Sequence, residues 1–143
     1  MSGPEALFSA RVKKGLKNCY IERLENRVNL GIPDMLIGIG NRFVALELKV
    51  VQSGYKIGLR PHQVSFFLRH SSHNRPCFLL VLWKSSASRE ESIVLYDGLE
   101  IVNIADVGLR VDPIKAWPSK KMPWEELEYF LSSDDYRLKK PMA

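Results

Sequence analysis

The chain has 143 residues, 45% of them hydrophobic and 26% charged, which is typical of one folded domain and too apolar for intrinsic disorder. No apolar run approaches the about 18 residues of a membrane-spanning helix, and the first residues lack the pattern of a signal peptide. Cys19 and Cys77 are too few for a disulfide framework. We therefore expect a cytoplasmic protein with no membrane partner, and the net charge of +5 favours a polyanionic one.

Two helices are predicted in the first half of the chain, each beginning at a proline, which is favoured in the first turn of a helix. The first covers residues 4–16. The second begins at Pro61 and ends between residues 70 and 74. Both carry apolar side chains at helical spacing that we expect to pack inward: Phe8, Val12 and Leu16 in the first helix, and Val64, Phe67 and Leu68 in the second.

Five strands are predicted around these helices. They cover residues 18–26, 35–39, 43–51, 77–83 and 92–96. Gly40 and Asn41 give the second and third strands the turn chemistry of a hairpin. The fourth strand is an uninterrupted apolar run, which is typical of a central strand covered on both faces.

The sequence signal weakens after Gly98, until an amphipathic helix predicted over residues 124–131. We predict one domain over residues 1–143, with its core at about residues 4–97 and a C-terminal extension at residues 98–143. The order of elements predicts an α/β fold with a central mixed sheet flanked by helices.

The strongest candidates for catalytic or metal-binding residues are Asp34, which ends the segment Gly31-Ile32-Pro33-Asp34, and Glu47, thirteen residues later. Because side chains alternate along a strand, Glu47 and Lys49 share one face of the third strand, opposite its apolar positions. A turn at Gly40 and Asn41 brings Asp34 near the level of Glu47. Two carboxylates and an ammonium group are therefore expected to converge.

Such a group has a chemical use. Two carboxylates supply the hard oxygen ligands that Mg²⁺ prefers, and a bound metal ion activates water for phosphodiester hydrolysis. Lys49 is suited to orient that water or to stabilise charge in the transition state. The alternative is structural, with Glu47 and Lys49 as an exposed pair on a half-solvated strand and Asp34 as a turn residue. Spacing alone leaves both interpretations open.

With these residues the chain resembles the PD-(D/E)XK nuclease superfamily, whose signature is present as Pro33-Asp34 and Glu47-Leu48-Lys49. The predicted order of elements is similar to the αβββαβ core of that superfamily. The resemblance implies that Asp34, Glu47 and the main-chain carbonyl of Leu48 hold a metal ion, and that Lys49 assists the attacking water. It implies Mg²⁺ as the cofactor, with Mn²⁺ able to substitute, and DNA as the substrate.

Two further positions extend the resemblance. Many members carry a glutamate on the first helix, and Glu5 is the candidate here for a further metal ligand and catalytic residue; Glu22 and Glu25 are weaker candidates. Glu5 has an alternative role as a helix cap with Ser2. Several members place a glutamine early in the helix that follows the lysine strand, and Gln63 is expected to orient the site or to contact DNA.

Basic side chains near these positions are candidates for nucleic-acid binding, namely Lys13, Lys14 and Lys17 beside the first helix, and Arg60 and His62 before Gln63. For the lysines, a solvated helix face is the alternative. A zinc site at His70, His73 and Cys77, with or without Cys19, is disfavoured because the paired-cysteine half of such a site is missing and because Cys77 begins an apolar strand.

Within the superfamily the chain most resembles phage and prokaryotic Holliday junction resolvases and the virus-type replication-repair nuclease domains. The resemblance implies a Mg²⁺-dependent endonuclease of a bacterial cell or phage-infected host, selective for branched DNA such as a four-way junction and active as a homodimer. One alternative is a site-specific homing or restriction-type endonuclease on the same core. The other is a catalytically silent DNA-binding module, which the intact Asp34, Glu47 and Lys49 argue against.

Overall fold

A computed structural model describes residues 3–24, 31–85 and 89–138. Its α-helices are α1 (Gly3–Gly15), α2 (Pro61–Ser71), α3 (Ile101–Val107), α4 (Trp124–Ser132) and α5 (Asp135–Leu138). Its strands are β1 (Tyr20–Arg23), β2 (Met35–Ile39), β3 (Arg42–Val51), β4 (Cys77–Lys84), β5 (Glu91–Asp97) and β6 (Lys115–Pro118). None of the helices in these residues is both long and apolar enough to cross a membrane.

The strands form one sheet in the order β1-β2-β3-β4-β5-β6. β3 and β4 are parallel, because α2 returns the chain to the same end of the sheet, and the other neighbouring pairs are antiparallel. The first six elements follow the order α-β-β-β-α-β. The structure therefore confirms the predicted α/β class with a mixed sheet flanked by helices.

The register of the β2–β3 hairpin determines where Asp34 lies relative to Glu47. Its turn is closed by Gly40, whose φ of +61° is a conformation that glycine adopts without steric cost. The register pairs Ile39 with Arg42 and Met35 with Leu46. Asp34, one residue before β2, is consequently opposite Glu47.

Helices cover both faces of the sheet. On the first, termed the α1 face, α1 and α4 pack against alternate residues of β2 to β6. On the opposite face of the sheet, termed the α2 face, α2 and α3 pack over β3, β4 and β5. β4 is buried on both faces along its first five residues, as its apolar run predicts. The three residues of the first predicted helix that were expected to face inward are all buried: Phe8 and Val12 in α1, and Leu16 directly after it.

Three predictions about the elements were wrong or incomplete. Leu68 was expected to face inward, but it is 48% exposed, because Phe67 occupies the inward position and the next residue is rotated away from it. β1 begins two residues later than predicted, and the predicted end of this strand lies outside the described residues. The region after Gly98 contains α3 and β6, which have seven and four residues and are too short to give a clear period.

Candidate functional site

Asp34 and Glu47 form a carboxylate pair on the α2 face. The backbone N–H of Leu48 donates a hydrogen bond of 2.9 Å to Oδ2 of Asp34. Glu47 is only 4% exposed. The structural alternative of an exposed Glu47 on a half-solvated strand is therefore wrong, because α2 covers this part of β3.

Gln63 of α2 joins the pair to Lys49. Its Nε2 donates a hydrogen bond of 2.9 Å to Oε2 of Glu47, and its Oε1 accepts one of 3.2 Å from Nζ of Lys49. The same Oε1 accepts a hydrogen bond of 3.0 Å from the backbone N–H of Arg60, which fixes the amide at the start of the helix. Nζ of Lys49 is 3.7 Å from Oε2 of Glu47. Gln63 is thus both a helix-capping residue and a direct contact of two predicted site residues.

Burial perturbs both carboxyl groups, and repulsion by Asp34 adds to the effect of burial on Glu47. Burial raises the pKa of Glu47 to about 8, helped by the negative charge of Asp34 and opposed by Lys49. Burial also raises the pKa of Asp34, against the hydrogen bond from Leu48 and the charge of Lys49. Positive charge from Lys49 and Arg23 only partly offsets the effect of burial on these carboxyl groups, so this site favours additional positive charge.

The loop that carries Asp34 is held against the first turn of α2. Gly31 has a φ of +78°, and a Cβ atom at this position would lie 2.6 Å from the backbone nitrogen of Gln63 and still closer to the carbonyl group of His62. The backbone N–H of Leu24 donates a hydrogen bond of 2.9 Å to the carbonyl of Asp34. The sequence marked Gly31 as part of the motif segment, but only the fold reveals this contact with α2.

The main chain of Leu48 faces the same space. The N–H and C=O groups of one strand residue point to the same side of the strand. Because the N–H of Leu48 is bonded to Asp34, its carbonyl also points toward the β2 side, beside the carboxylate pair.

Of Glu5 and Glu22, the two described glutamates considered for the first-helix role, Glu5 has an electrostatic effect on the site. It is half-buried on α1, and its negative charge contributes to the raised pKa of Glu47. Glu22 is exposed on β1 and hydrogen-bonds the side chain of Tyr20. Glu25 lies outside the described residues, as does Ser2, the predicted capping partner of Glu5.

The basic candidates surround the site at different distances. Arg60 and His62 are exposed on either side of Pro61, next to Gln63. Lys13 and Lys14 are exposed in the last turn of α1, at least about 12 Å along the helix from Glu5. Lys17 is exposed beyond the end of that helix.

Arg23 is a basic residue at the site that was not predicted from the sequence. The positive charge of Arg23 contributes to lowering the pKa of Asp34, against the larger effect of burial. Arg23 pairs with Met35 across β1 and β2, one residue from Asp34. The strand register is the signal that identifies Arg23, and the sequence did not provide it.

The zinc alternative finds no support in the geometry. Nδ1 of His70 accepts a hydrogen bond of 2.7 Å from Nε of Arg75, and Nδ1 of His73 is 2.6 Å from the carbonyl of Arg69. Within residues 3–24, 31–85 and 89–138, no three His, Cys, Asp or Glu side chains are grouped so that they could hold a metal ion. A cation at Asp34 and Glu47 therefore requires main-chain or solvent oxygens as further ligands.

Comparisons with known proteins found similarity to solved structures, but none to family models or curated sequences. No protein-family model and no curated protein sequence matches the chain. Among solved structures, the chain is similar to the 1.6 Å structure of Archaeoglobus fulgidus Hjc, a Holliday junction resolvase from an archaeal hyperthermophile. The two are 12% identical with a TM-score of 0.43, and the match covers 68% of this chain and 75% of the archaeal one.

Proposed function

We propose that this protein is a divalent-metal-dependent endonuclease that hydrolyses phosphodiester bonds in DNA. The observation that carries the proposal is the buried carboxyl group of Glu47 beside the half-buried one of Asp34, with Lys49 on the same face of β3 as Glu47. A buried Glu47 beside a second carboxylate is unfavourable for a purely structural pair, because each charge loses hydration and repels the other. A function that brings positive charge to the pair accounts for its retention in the core.

The residues present fit a hard divalent cation. Asp34 and Glu47 provide carboxylate oxygens, and the Leu48 carbonyl points to the same side, which is the all-oxygen donor set that Mg²⁺ and Mn²⁺ accept. When bound, such an ion lowers the pKa of coordinated water and neutralises charge on the phosphate. Water is expected to complete the coordination, since Mg²⁺ usually keeps several waters.

Lys49 and Gln63 act beside the carboxylates. The Lys49 ammonium group is held by Oε1 of Gln63, so it stays beside Glu47 rather than being free to rotate. It orients the attacking water and stabilises the negative charge that develops on phosphate oxygens. Gln63 keeps both Lys49 and Glu47 in place, and a role in contacting DNA is compatible with its position at the start of α2.

The prediction of Glu5 as a direct metal ligand is not supported, because Glu5, Asp34 and Glu47 are not grouped closely enough to hold one ion together. Glu5 is proposed instead as a base that acts through water. Its charge already contributes to the raised pKa of Glu47. A third carboxylate increases the negative potential and so the affinity for a divalent cation.

The proposed substrate is branched DNA, with a four-way junction as the leading candidate, and the proposed assembly is a homodimer. The substrate and the dimer rest on the sequence resemblance, and the net charge of +5 supports a nucleic-acid partner. Lys13, Lys14, Lys17, Arg60 and His62 are proposed to contact phosphates. A symmetric dimer presents one site to each of two equivalent strands, as paired cuts across a junction require.

The test is a cleavage assay with four labelled DNAs that share arm sequences: a four-way junction, a flap, a single strand and a matched duplex. Each is incubated with Mg²⁺, with Mn²⁺ and with EDTA. We expect cleavage with either metal and none with EDTA, and faster cleavage of the junction than of the duplex. Cleavage in EDTA, or no cleavage of any DNA, would overturn the nuclease proposal. Cutting of one defined duplex sequence would instead support a site-specific endonuclease.

A further inference from the structure

Two large aromatic side chains are exposed on the α2 face of the sheet, beyond the carboxylate pair. Phe43 on β3 is 66% exposed and Tyr20 on β1 is 67% exposed. The strand register places them in one row, because Tyr20 pairs with Gly38 and Gly38 pairs with Phe43. Two aromatic residues in such positions bury little surface within the monomer.

Gly38 makes this row flat. A Cβ atom on Gly38 would lie 3.2 Å from Cε1 of Phe43 and 3.8 Å from Cβ of Tyr20. The ring of Phe43 therefore extends over the bare backbone of β2, with its other side toward solvent. Across two strand spacings, the row is about 10 Å wide. We define these residues, Tyr20, Gly38 and Phe43, as the aromatic platform.

The platform continues the surface that holds the carboxylates. Phe43 and Glu47 are four residues apart on β3, so their Cα atoms are about 13 Å apart on the same face. That distance equals about four base-pair steps of a DNA strand. A DNA strand whose phosphate lies at Asp34 and Glu47 can reach the platform without a change in the protein.

A negative charge on Glu22, which lies between the carboxylate pair and the aromatic platform, determines which part of DNA can contact the platform. Glu22, exposed on β1 two residues from Tyr20, hydrogen-bonds the Tyr20 side chain. A carboxylate here repels backbone phosphates, whereas the face of a nucleobase is uncharged and stacks on aromatic rings. The surface is therefore suited to bases rather than to the phosphate backbone.

We propose that the aromatic platform stacks against a nucleobase face that is exposed at a DNA branch point, and that this contact distinguishes branched DNA from duplex. The inference rests on the proposed function, since it takes the DNA to be bound at the carboxylate pair. In an intact duplex each base is covered by its neighbours, so the platform has nothing to stack on. At a branch, stacking is interrupted and a base face becomes available.

The experiment measures binding in EDTA, so that no metal-dependent cleavage occurs. A four-way junction with 2-aminopurine at the branch and a duplex with the same arm sequence are titrated with the wild type, Phe43→Ala, Tyr20→Ala and Phe43→Trp. Leu99→Ala is the matched control, because Leu99 is an apolar residue exposed to 51% after β5. Thermal melting of each variant verifies that it is folded.

We expect the Kd of Phe43→Ala for the junction to rise by about 5- to 100-fold, the range of base stacking on an aromatic ring, with the Kd for duplex unchanged. The 2-aminopurine emission should be quenched by the wild type and by Phe43→Trp, and not by Phe43→Ala. Leu99→Ala should behave as the wild type. Gly38→Val, which keeps both rings but displaces that of Phe43, should also weaken junction binding.

Equal reductions in affinity for junction and duplex, or no reduction for either, would overturn the inference. So would conversion of a dimer to a monomer by Phe43→Ala in sedimentation, because the platform would then be a contact between two copies of the chain. The proposed function fails independently. If the wild type cuts no DNA but binds the junction through Phe43, the proposed role of the aromatic platform is supported and the proposed nuclease function is overturned.

Discussion

At the scale of single residues, the ionised form of Glu47 is unfavourable as long as no metal ion is near it. It is buried beside Asp34, and its contacts are an amide from Gln63 and an ammonium group 3.7 Å away on Lys49. A carboxyl in this position is stable when it is protonated or when it faces a metal ion. The same feature that lowers stability therefore creates affinity for a divalent cation.

The raised pKa of Glu47 predicts how stability depends on pH. Folded Glu47 has a pKa of about 8, against an ordinary value of 4.5, so the folded state binds the proton more tightly than the unfolded state. The contribution of Glu47 to stability is thus fully present below about pH 4.5 and is lost as the pH rises toward 8, by on the order of a few kcal/mol. In EDTA the melting temperature should fall across this range for the wild type and much less for Glu47→Gln.

Addition of Mg²⁺ at pH 8 should restore the melting temperature of the wild type and leave that of Glu47→Gln almost unchanged, because ligand binding stabilises the folded state. If the two proteins lose stability in parallel, the assignment of the pH effect to Glu47 is wrong.

Glu5 can be tested by a change that separates capping from catalysis. A capping box accepts glutamine as well as glutamate, so Glu5→Gln keeps the cap but removes the charge. As a member of the site, Glu5→Gln should lower the cleavage rate by at least about tenfold with no loss in melting temperature. Glu125→Gln is the control, since Glu125 is exposed on α4, and it should retain the wild-type rate. An active Glu5→Gln enzyme would remove Glu5 from the site.

At the scale of elements, the site depends on the contact between the loop before β2 and the first turn of α2. Gly31 packs against the backbone of His62 and Gln63, so the loop that carries Asp34 and the helix that carries Gln63 are positioned together. Because β3 holds both Glu47 and Lys49, three elements must keep their spacing for the side chains to meet.

Gly31→Ala tests this contact. The new methyl group would collide with the α2 backbone, and the positive φ is unfavourable for alanine, so we expect a loss of about 1–3 kcal/mol in the free energy of unfolding and a disproportionate loss of cleavage. Gly54→Ala is the matched control. Gly54 has a similar φ of +70° but no atom within 4 Å of the added Cβ, so it carries the backbone strain without the collision. The free energy of unfolding in urea and the cleavage rate are measured for both variants. Equal losses in Gly31→Ala and Gly54→Ala would contradict a specific contact between Gly31 and α2.

Elements with a long, clear pattern were predictable from the sequence. Phe8, Val12 and Leu16 recur at helical spacing and are all buried against the sheet. The apolar run of β4 is buried on both faces of the sheet, so in both cases the sequence pattern agrees with the observed burial. The hairpin at Gly40 also fixed the level of Asp34 opposite Glu47. The burial of Glu47 was not predictable, because it depends on α2, which packs over β3 from sixteen residues later in the chain.

At the scale of the whole molecule, the C-terminal segment completes the sheet and the core. Asp97, the last residue of β5, accepts hydrogen bonds of 2.8 Å from the Tyr136 hydroxyl and 3.0 Å from Nε of Arg137. Trp117, Leu127 and Leu131 join the core on the α1 face. Such contacts join residues far apart in sequence, and no local pattern in the chain reports them.

The charge of the whole molecule predicts how it binds DNA. If affinity comes mainly from basic side chains on phosphates, log K should fall linearly with log salt concentration, and removal of one phosphate-binding lysine should reduce the slope by about 0.9. Lys14→Gln should reduce the slope by this amount, whereas Lys115→Gln should not, because Lys115 pairs with Glu126 on α4. Sedimentation of the same samples should give a dimer. Binding that does not respond to salt, or a monomer on junction DNA, would contradict this view of assembly.

The central claim is that Asp34 and Glu47 form the metal-dependent catalytic site of a DNA endonuclease, and the most direct test is the Mg²⁺-dependent cleavage rate of Asp34→Asn and Glu47→Gln. Each variant should cut at least about a hundredfold more slowly than the wild type, while DNA affinity stays within a few-fold. Glu126→Gln, which removes an exposed carboxylate on α4, should cut at the wild-type rate. A wild-type rate in either Asp34→Asn or Glu47→Gln would contradict the claim.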